Sequence, residues 1–199
     1  MENKIPSVII LSGGKSLRMQ LPKAFLKKDD KTLVEHLVNV YIEFGIVEPI
    51  VILNKTLFTG EWMNIITKLY QKAKIGFNQY TVLGRTYSIQ MGLDRLEYAE
   101  DCFIQNIDNP DISVELLDKM WKKLEPNTYV VACKNGFNGH PILISKEILA
   151  DLKELKGNNW ILKDMLKNYK RIQVEAEKNN VLLNLNTMED WLMFLRKVN

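Results

Sequence analysis

Cysteine and histidine are scarce in this 199-residue chain, with two of each: Cys102, Cys133, His36 and His140. Four such residues assemble no zinc spacing, and a chain of this length buries enough apolar surface to fold without staples. Both cysteines fall in apolar runs that read as strands, where a thiol packs as a small buried hydrophobe. Long hydrophobic runs are missing too. No stretch reaches 18 apolar residues, and the one in MENKIPSVIILSGG is too short for a signal peptide. A reducing cytoplasm is the expected setting.

Charge of one sign is also lacking. Twenty-seven Lys and Arg against 24 Asp and Glu leave a formal +3, with no basic block of five or more. That excess is too small to imply a nucleic-acid partner, and no membrane partner is expected. Small anionic substrates suffice to explain a local basic patch. No internal repeat, low-complexity tract or Pro/Gly/Ser linker divides the chain, so residues 1–199 read as one domain.

What is present is strand–helix alternation. Apolar runs at Val8–Leu11, Ile50–Leu53, Lys74–Phe77, Cys102–Ile107, Tyr129–Ala132 and Ile142–Ile144 read as strands. Helical periodicity occupies Thr32–Phe44, Leu57–Lys72, Thr86–Glu97, Val114–Leu124, Lys146–Leu155 and Met188–Lys197, and runs near Ile172 and Val181 suggest edge strands. Thr32 with Glu35 spells a capping box, and Ser113 precedes Val114 as a cap. The pattern predicts an α/β fold, a mostly parallel sheet with helices on both faces. Ligands of such sheets sit beyond the carboxyl ends of the strands, so the loops after Leu11, Leu53, Phe77 and Ile107 are the first candidates for chemistry.

The first of these loops reads Leu11-Ser12-Gly13-Gly14-Lys15-Ser16-Leu17-Arg18-Met19-Gln20-Leu21-Pro22-Lys23. Two glycines at a strand end let backbone N–H groups approach an anion, and Lys15, Arg18 and Lys23 add three cations. Polyphosphate binding calls for that combination. The loop is neither a Walker A motif nor a Gly-x-Gly-x-x-Gly fingerprint. By composition alone, a glycine turn with a solvated basic rim reads as well.

The arrangement Leu-x-Gly-Gly-x-Ser-x-Arg-Met-x-x-Pro-Lys resembles the signature loop of the MobA/MocA-like NTP transferase family, the molybdenum-cofactor cytidylyl- and guanylyltransferases. The resemblance implies a Rossmann-like fold of the nucleotide-diphospho-sugar transferase type. It also implies that the loop from Leu11 to Ser16 wraps the NTP phosphates while Arg18 and Lys23 neutralise the α-phosphate and departing pyrophosphate. Gln20 replaces the glycine usual after Arg-Met.

Further motifs follow in the family's order. Asn78, then Gly84-Arg85-Thr86-Tyr87-Ser88-Ile89 and Gly92-Leu93, resemble the segment lining the base and ribose pocket, with Asn78, Gly84 and Ser88 as nucleotide-binding residues. Physically, Thr86 and Ser88 offer hydroxyls at a helix start, where a simple cap is the plainer reading. Asp108 ends a hydrophobic strand in Asp108-Asn109-Pro110, similar to the family's strand–Asp–x–Pro, whose carboxylate holds Mg²⁺. Asp111 reads as a turn residue with the option of a water-mediated metal contact. Asn138-Gly139-His140-Pro141 resembles the cytidylyl branch, placing His140 on the acceptor side without a proton-transfer role. Asn184-Leu185-Asn186-Thr187-Met188-Glu189-Asp190 resembles the closing Asp-x-Asp-Thr-Pro-Glu-Asp, with Asn186 offering a carbonyl oxygen to the metal and Thr187 capping the last helix.

The implied activity is Mg²⁺-dependent transfer of a nucleoside monophosphate from an NTP to a small, phosphorylated acceptor. Gly13, where cytidylyl members carry Ala, resembles the guanylyl branch, since a lost methyl leaves room for a purine. The five-residue step from Arg18 to Lys23 and Gly-His-Pro resemble the cytidylyl branch, and the balance inclines to CTP. Where cytidylyl members carry Gly-Asp-x-Gly-x-Arg this chain has Gly157-Asn158-Asn159-Trp160, so Trp160 faces a different acceptor or is a core tryptophan. A sugar-1-phosphate or alcohol-phosphate nucleotidyltransferase and a nucleotide-binding regulator without turnover stay open as alternatives.

Overall fold

The structure, a computed structural model, describes residues 5–14, 21–28, 30–96, 100–155, 157 and 159–197. Lys15, Ser16 and Arg18 of the first loop lie outside the described residues. The chain runs β1 (Ser7–Ser12), a short ladder of β2 (Lys27–Lys28) and β3 (Lys31–Thr32), α1 (Leu33–Phe44), β4 (Ile50–Asn54), α2 (Met63–Tyr70) and β5 (Lys74–Asn78). It continues through α3 (Gly84–Leu93), β6 (Cys102–Asn106), α4 (Val114–Trp121), β7 (Thr128–Lys134) and β8 (Phe137–Ile144). Helices α5 (Lys146–Glu154) and α6 (Leu162–Met165), strand β9 (Lys170–Glu175) and helix α7 (Met188–Lys197) complete it.

Seven strands form one sheet in the order β5-β4-β1-β6-β8-β7-β9. β1 is apolar on both faces because both are covered. Val8 and Ile10 pack with residues of α1, α2, α4 and α7, whereas Ile9 and Leu11 pack with residues of α3, α5 and α6. Helices therefore lie on both faces, as the periodicity predicts. Thr32 and Glu35 form the expected capping box on α1, and the Ser113 hydroxyl accepts the Leu116 amide at the start of α4. Cys102 and Cys133 are buried free thiols.

Two elements differ from the sequence expectation, and one strand is the exception in the mostly parallel sheet. The segment from Leu57 is not helical throughout: residues 55–57 make a 3-10 turn whose Thr56 amide is taken by the Asn54 side chain, and α2 begins only at Met63. The run near Val181 forms no strand, because Leu183 N–H turns back onto the Asn180 carbonyl and Asp111 holds the Asn180 amide. The sheet is parallel except at β8, which runs antiparallel to both β6 and β7. Asn135 and Gly136, at φ 51° and 80°, make a two-residue reversal between β7 and β8, the backbone that tight hairpins require.

This order has one switch point. From β1 the chain moves outward to β4 and β5, then returns to pair β6 against the other side of β1. Crevices of open α/β sheets form where neighbouring connections leave in opposite directions. Here that point lies beyond Ser12 and Asn106.

Candidate active site

A cleft of about 450 Å³ opens there, lined by Leu11, Ser12, Gly13, Gly14, Lys23, Thr81, Gly84, Arg85, Ser88, Asn106, Ile107, Asp108 and Asn186. Nine residues singled out in the sequence thus meet on one wall or another. Asn78 lies directly behind, its amide Nδ2 donating to Ser88 Oγ at 2.9 Å, with both side chains buried.

Lys23 reaches the cleft from a 3-10 turn, Lys23–Phe25, entered through Pro22. The turn is pinned from below: Ala24 and Phe25 are buried, and the Phe25 ring stacks on Trp62 at 4.8 Å. The ammonium stands 3.2 Å from Asn186 Oδ1 and 3.7 Å from Asp108 Oδ2. Those two oxygens come from opposite ends of the chain's C-terminal half. Asp108 follows β6, and its carbonyl accepts the Leu185 amide at 2.9 Å, which delivers Asn186 beside it. Asp190 finishes the corner by accepting the Asn186 and Thr187 amides at 2.9 and 2.8 Å, bonds that hold its carboxyl below the usual range. Thr187 Oγ1 accepts the Asp190 amide in return, so Thr187 caps α7.

Asp108 Oδ1 is buried and takes no hydrogen bond from the described residues. An ionised carboxylate oxygen is an acceptor only, so a buried one is stabilised by a cation or a donor. A divalent metal bound through Asp108 and the Asn186 carbonyl oxygen fits this donor set, since magnesium takes one or two protein oxygens and fills its remaining positions with water and phosphate. Among the described residues no group of three His, Cys, Asp or Glu gathers as an alternative metal centre. Asp111 is committed elsewhere. Its oxygens hold the Asn179 side chain and the Asn180 amide, the turn role and not the metal contact.

The opposite wall is the start of α3. Gly84 sits at φ 73°, ψ −166°, a region essentially reserved for glycine, and nothing lies within 4 Å of where its Cβ would project. No side chain caps this helix, which leaves its first N–H groups as donors toward the cleft. Gly13 is different. A Cβ there would stand 2.5 Å from Ser88 Oγ and 3.3 Å from Asn78 Nδ2. The missing methyl points into the buried Asn78–Ser88 pair and not into the open cleft, so it leaves no room for a purine. That corrects the expectation drawn from Gly13.

Two residues of the cleft were passed over in the sequence. Arg85, the first residue after Gly84, lines it; partial burial of the guanidinium lowers its pKa, and the Asp108 carboxylate opposes that shift. Arg85 makes no hydrogen bond or ion pair with the described residues. A cation placed directly after a helix-starting glycine was the available signal. Asn106 is the second, and it determines the state of His140. Asn109 Nδ2 donates to the Leu183 carbonyl, so its Oδ1 accepts from Asn106 Nδ2 at 3.3 Å. The same Asn106 Nδ2 lies 2.9 Å from His140 Nε2, which is thereby an acceptor, and the imidazole proton sits on Nδ1. Burial, with the Arg85 charge adding to it, pushes His140 down to about 4. His140 is a neutral strut on the far side of Arg85, within β8 and not in the loop before it, and lines a second cleft.

Trp160 is a core residue. It packs with Ile89 and Leu162, and its carbonyl accepts the Thr86 hydroxyl.

Comparison with known proteins agrees with this geometry. Residues 8–173 match the MobA-like NTP transferase domain. The chain is 28% identical over 93 residues to the molybdenum cofactor cytidylyltransferase of Escherichia coli (strain K12), a match spanning about half of that relative, 47% of each chain. It is 26% identical over 189 residues to the molybdenum cofactor guanylyltransferase of Campylobacter jejuni subsp. doylei, covering 94% of this chain and 93% of that one. A nucleotidyl transferase from Methanothermobacter thermautotroptrophicus has the same fold, with a TM-score of 0.79 at 17% identity over 98% of this chain and 100% of that one. So does the CTP:phosphocholine cytidylyltransferase from Streptococcus pneumoniae, with a TM-score of 0.69 at 16% identity over 98% and 100%. With most of its length inside the matched domain, the chain belongs to the MobA-like NTP transferase family and is a nucleotidyltransferase.

Proposed function

We propose that the chain transfers a nucleoside monophosphate from an NTP to a small phosphorylated acceptor, in a Mg²⁺-dependent reaction that releases pyrophosphate. The observation that carries this reading is Lys23 Nζ held between Asn186 Oδ1 and Asp108 Oδ2 on the floor of a glycine-lined cleft. An acceptor oxygen attacks the α-phosphorus in line, forming one P–O bond as the bond to pyrophosphate breaks. Such transfer depends on positioning and charge stabilisation. The Gly13–Gly14 backbone and the start of α3 cradle the phosphates, and Lys23 with Arg18 neutralises charge as it develops. Asp108 and Asn186 would hold magnesium, which would supply further neutralisation of the charge that develops as pyrophosphate leaves. A phosphate acceptor is already ionised at neutral pH, so no base is required, in keeping with a His140 that stays neutral and unavailable.

For the base, CTP is the favoured substrate. Gly13 no longer argues for a purine, which leaves the Arg18-to-Lys23 spacing and Gly-His-Pro, both similar to the cytidylyl branch. The curated relatives named above divide between cytidylyl and guanylyl transfer.

Calorimetric titration of CTP, GTP, ATP and UTP with and without Mg²⁺, on wild type and Lys23→Ala, tests the reading. Magnesium-dependent binding with CTP tightest is expected, and in Lys23→Ala a loss of about a hundredfold or more in pyrophosphate release with a screened acceptor. NTP binding indifferent to both magnesium and Lys23 would sink it.

A further inference from the structure

Gln105 stands one residue before the end of β6 and has no exposed surface. A buried amide is costly unless its hydrogen-bonding groups are met. On the same face of the strand, two residues earlier, Phe103 packs against the Tyr41 ring of α1 at 5.6 Å. Packing in that layer is served as well by an apolar side chain. The amide's use lies in its hydrogen bonds.

Gln105 Nε2 donates to the Asn106 carbonyl at 2.7 Å and to the Asn109 carbonyl at 2.8 Å. Those carbonyls belong to the two ends of a four-residue turn, Asn106–Asn109, closed by the Asn109 amide on the Asn106 carbonyl at 3.3 Å. Ile107 and Asp108 are its corner. Both protons of one NH2 group thus clamp the turn that carries Asp108. Carbonyl oxygens only accept, so the group facing them is the NH2, and Oε1 is left to accept from a donor. That donor is the Tyr41 hydroxyl, itself fully buried, at 3.0 Å. Burial holds the Tyr41 phenol well above its usual range, so it keeps its proton.

Strand pairing alone does not reach Asp108. Pairing of β6 with β8 ends at Ile104, and on the β1 side the Ile107 amide bonds the Leu11 carbonyl. Without the clamp the corner peptides are freer to rotate, and the carboxylate swings with them. We propose that Gln105 is a positioning residue for the metal site: its NH2 group sets the Asn106–Asn109 turn so that the Asp108 carboxylate meets Asn186 and Lys23. Tyr41 acts through Gln105 by holding the amide in that orientation. The inference rests on the reading in which Asp108 and Asn186 hold a divalent ion.

Mn²⁺ is the probe, with and without CTP and with no acceptor. Binding to the full chain is followed by EPR in wild type, Gln105→Met, Tyr41→Phe, the double variant and Asp108→Ala, with thermal unfolding of each. Methionine keeps the length and removes the donors, so Gln105→Met is expected to weaken Mn²⁺ about tenfold. Its maximal rate should return at high Mg²⁺, because the ligand is still present. Tyr41→Phe leaves Oε1 without its partner and should weaken Mn²⁺ about threefold. Gln105→Met also strands the Tyr41 hydroxyl and lowers Tm. In the double variant both partners of that bond are gone, which is close to neutral for stability. Tm should therefore recover while Mn²⁺ affinity stays at the Gln105→Met level. Affinity that returns together with stability, or that never changes, makes Gln105 a core amide only and overturns the proposal. Asp108→Ala separates the two readings. If it binds Mn²⁺ as tightly as wild type, the metal reading itself fails; if it weakens Mn²⁺ and Gln105→Met does not, only the positioning role fails.

Discussion

Gly13→Ala is the substitution that most directly separates backbone packing from base selection. Its new methyl would sit 2.5 Å from Ser88 Oγ, a separation that real Cβ atoms do not adopt. Either Ser88 rotates or the loop backs away. Rotation breaks the buried bond from Asn78 Nδ2, and leaving such a donor unsatisfied costs about 1–3 kcal/mol. Moving the loop instead is overpacking, typically about 1–3 kcal/mol as well. Either route lowers Tm by about 2–4 °C for each kcal/mol in a chain of this size. Because Gly14 is displaced along with Gly13, kcat/KM should fall by similar factors for CTP and GTP. The double variant Gly13→Ala/Ser88→Ala supplies the control. Removing the hydroxyl vacates the space the methyl needs, so the two losses should fall short of additivity by about 1 kcal/mol or more. The measurements are urea unfolding of the four proteins and kinetics with each nucleotide. An unchanged stability together with a selective loss of GTP use would show that the methyl does enter the base pocket, and the packing argument would be wrong.

Three further outcomes follow from this cleft and its neighbour. Asp108→Ala should lose activity that no practical Mg²⁺ concentration restores, while Asn186→Asp should lower the Mg²⁺ needed for half-maximal rate; a higher requirement in a magnesium titration would remove Asn186 from the metal. His140 is held at about 4 against about 6.5 when unfolded, so between those values the unfolded chain binds the extra proton and stability rises with pH. Its contribution is therefore full above about 6.5 and lost as pH falls to about 4, some 3 kcal/mol in all. His140→Gln should flatten acid unfolding over that window, and an equal slope in both proteins would show that His140 titrates normally.

Much of this was legible in the sequence. The two-sided apolar runs at Val8–Leu11 and Ile50–Leu53 announce a covered sheet because each residue there has a core to enter, whichever face it meets. Asp108 and Lys23 were legible from motif order. What the sequence concealed was direction. Nothing in a one-dimensional string says that the absent Cβ of Gly13 points at Ser88, 75 residues away, nor that Arg85 lines a cleft. Helical periodicity runs on across Thr59-Gly60, whereas the Asn54 side chain claims the Thr56 amide and sets a 3-10 turn ahead of it. The proton on His140 Nδ1 depends on a chain of three side-chain amide and imidazole contacts ending at Leu183, which only the fold assembles.

The largest departure from the simple pattern also creates the second cleft. The β6–β7 connection carries its helix, α4, on the opposite face, packed with Val8 and Val130. The Asn135-Gly136 reversal instead inserts β8 between β6 and β7 as an antiparallel strand, with no helix in the connection. That leaves a stretch of sheet beside α3 where a cleft opens, lined by Leu162 of α6, with α5 packed on the same face. A sheet that is parallel on the nucleotide side and antiparallel on the other thus provides two different surfaces. Arg85, at the start of α3, is the one residue among the described residues that lines both clefts.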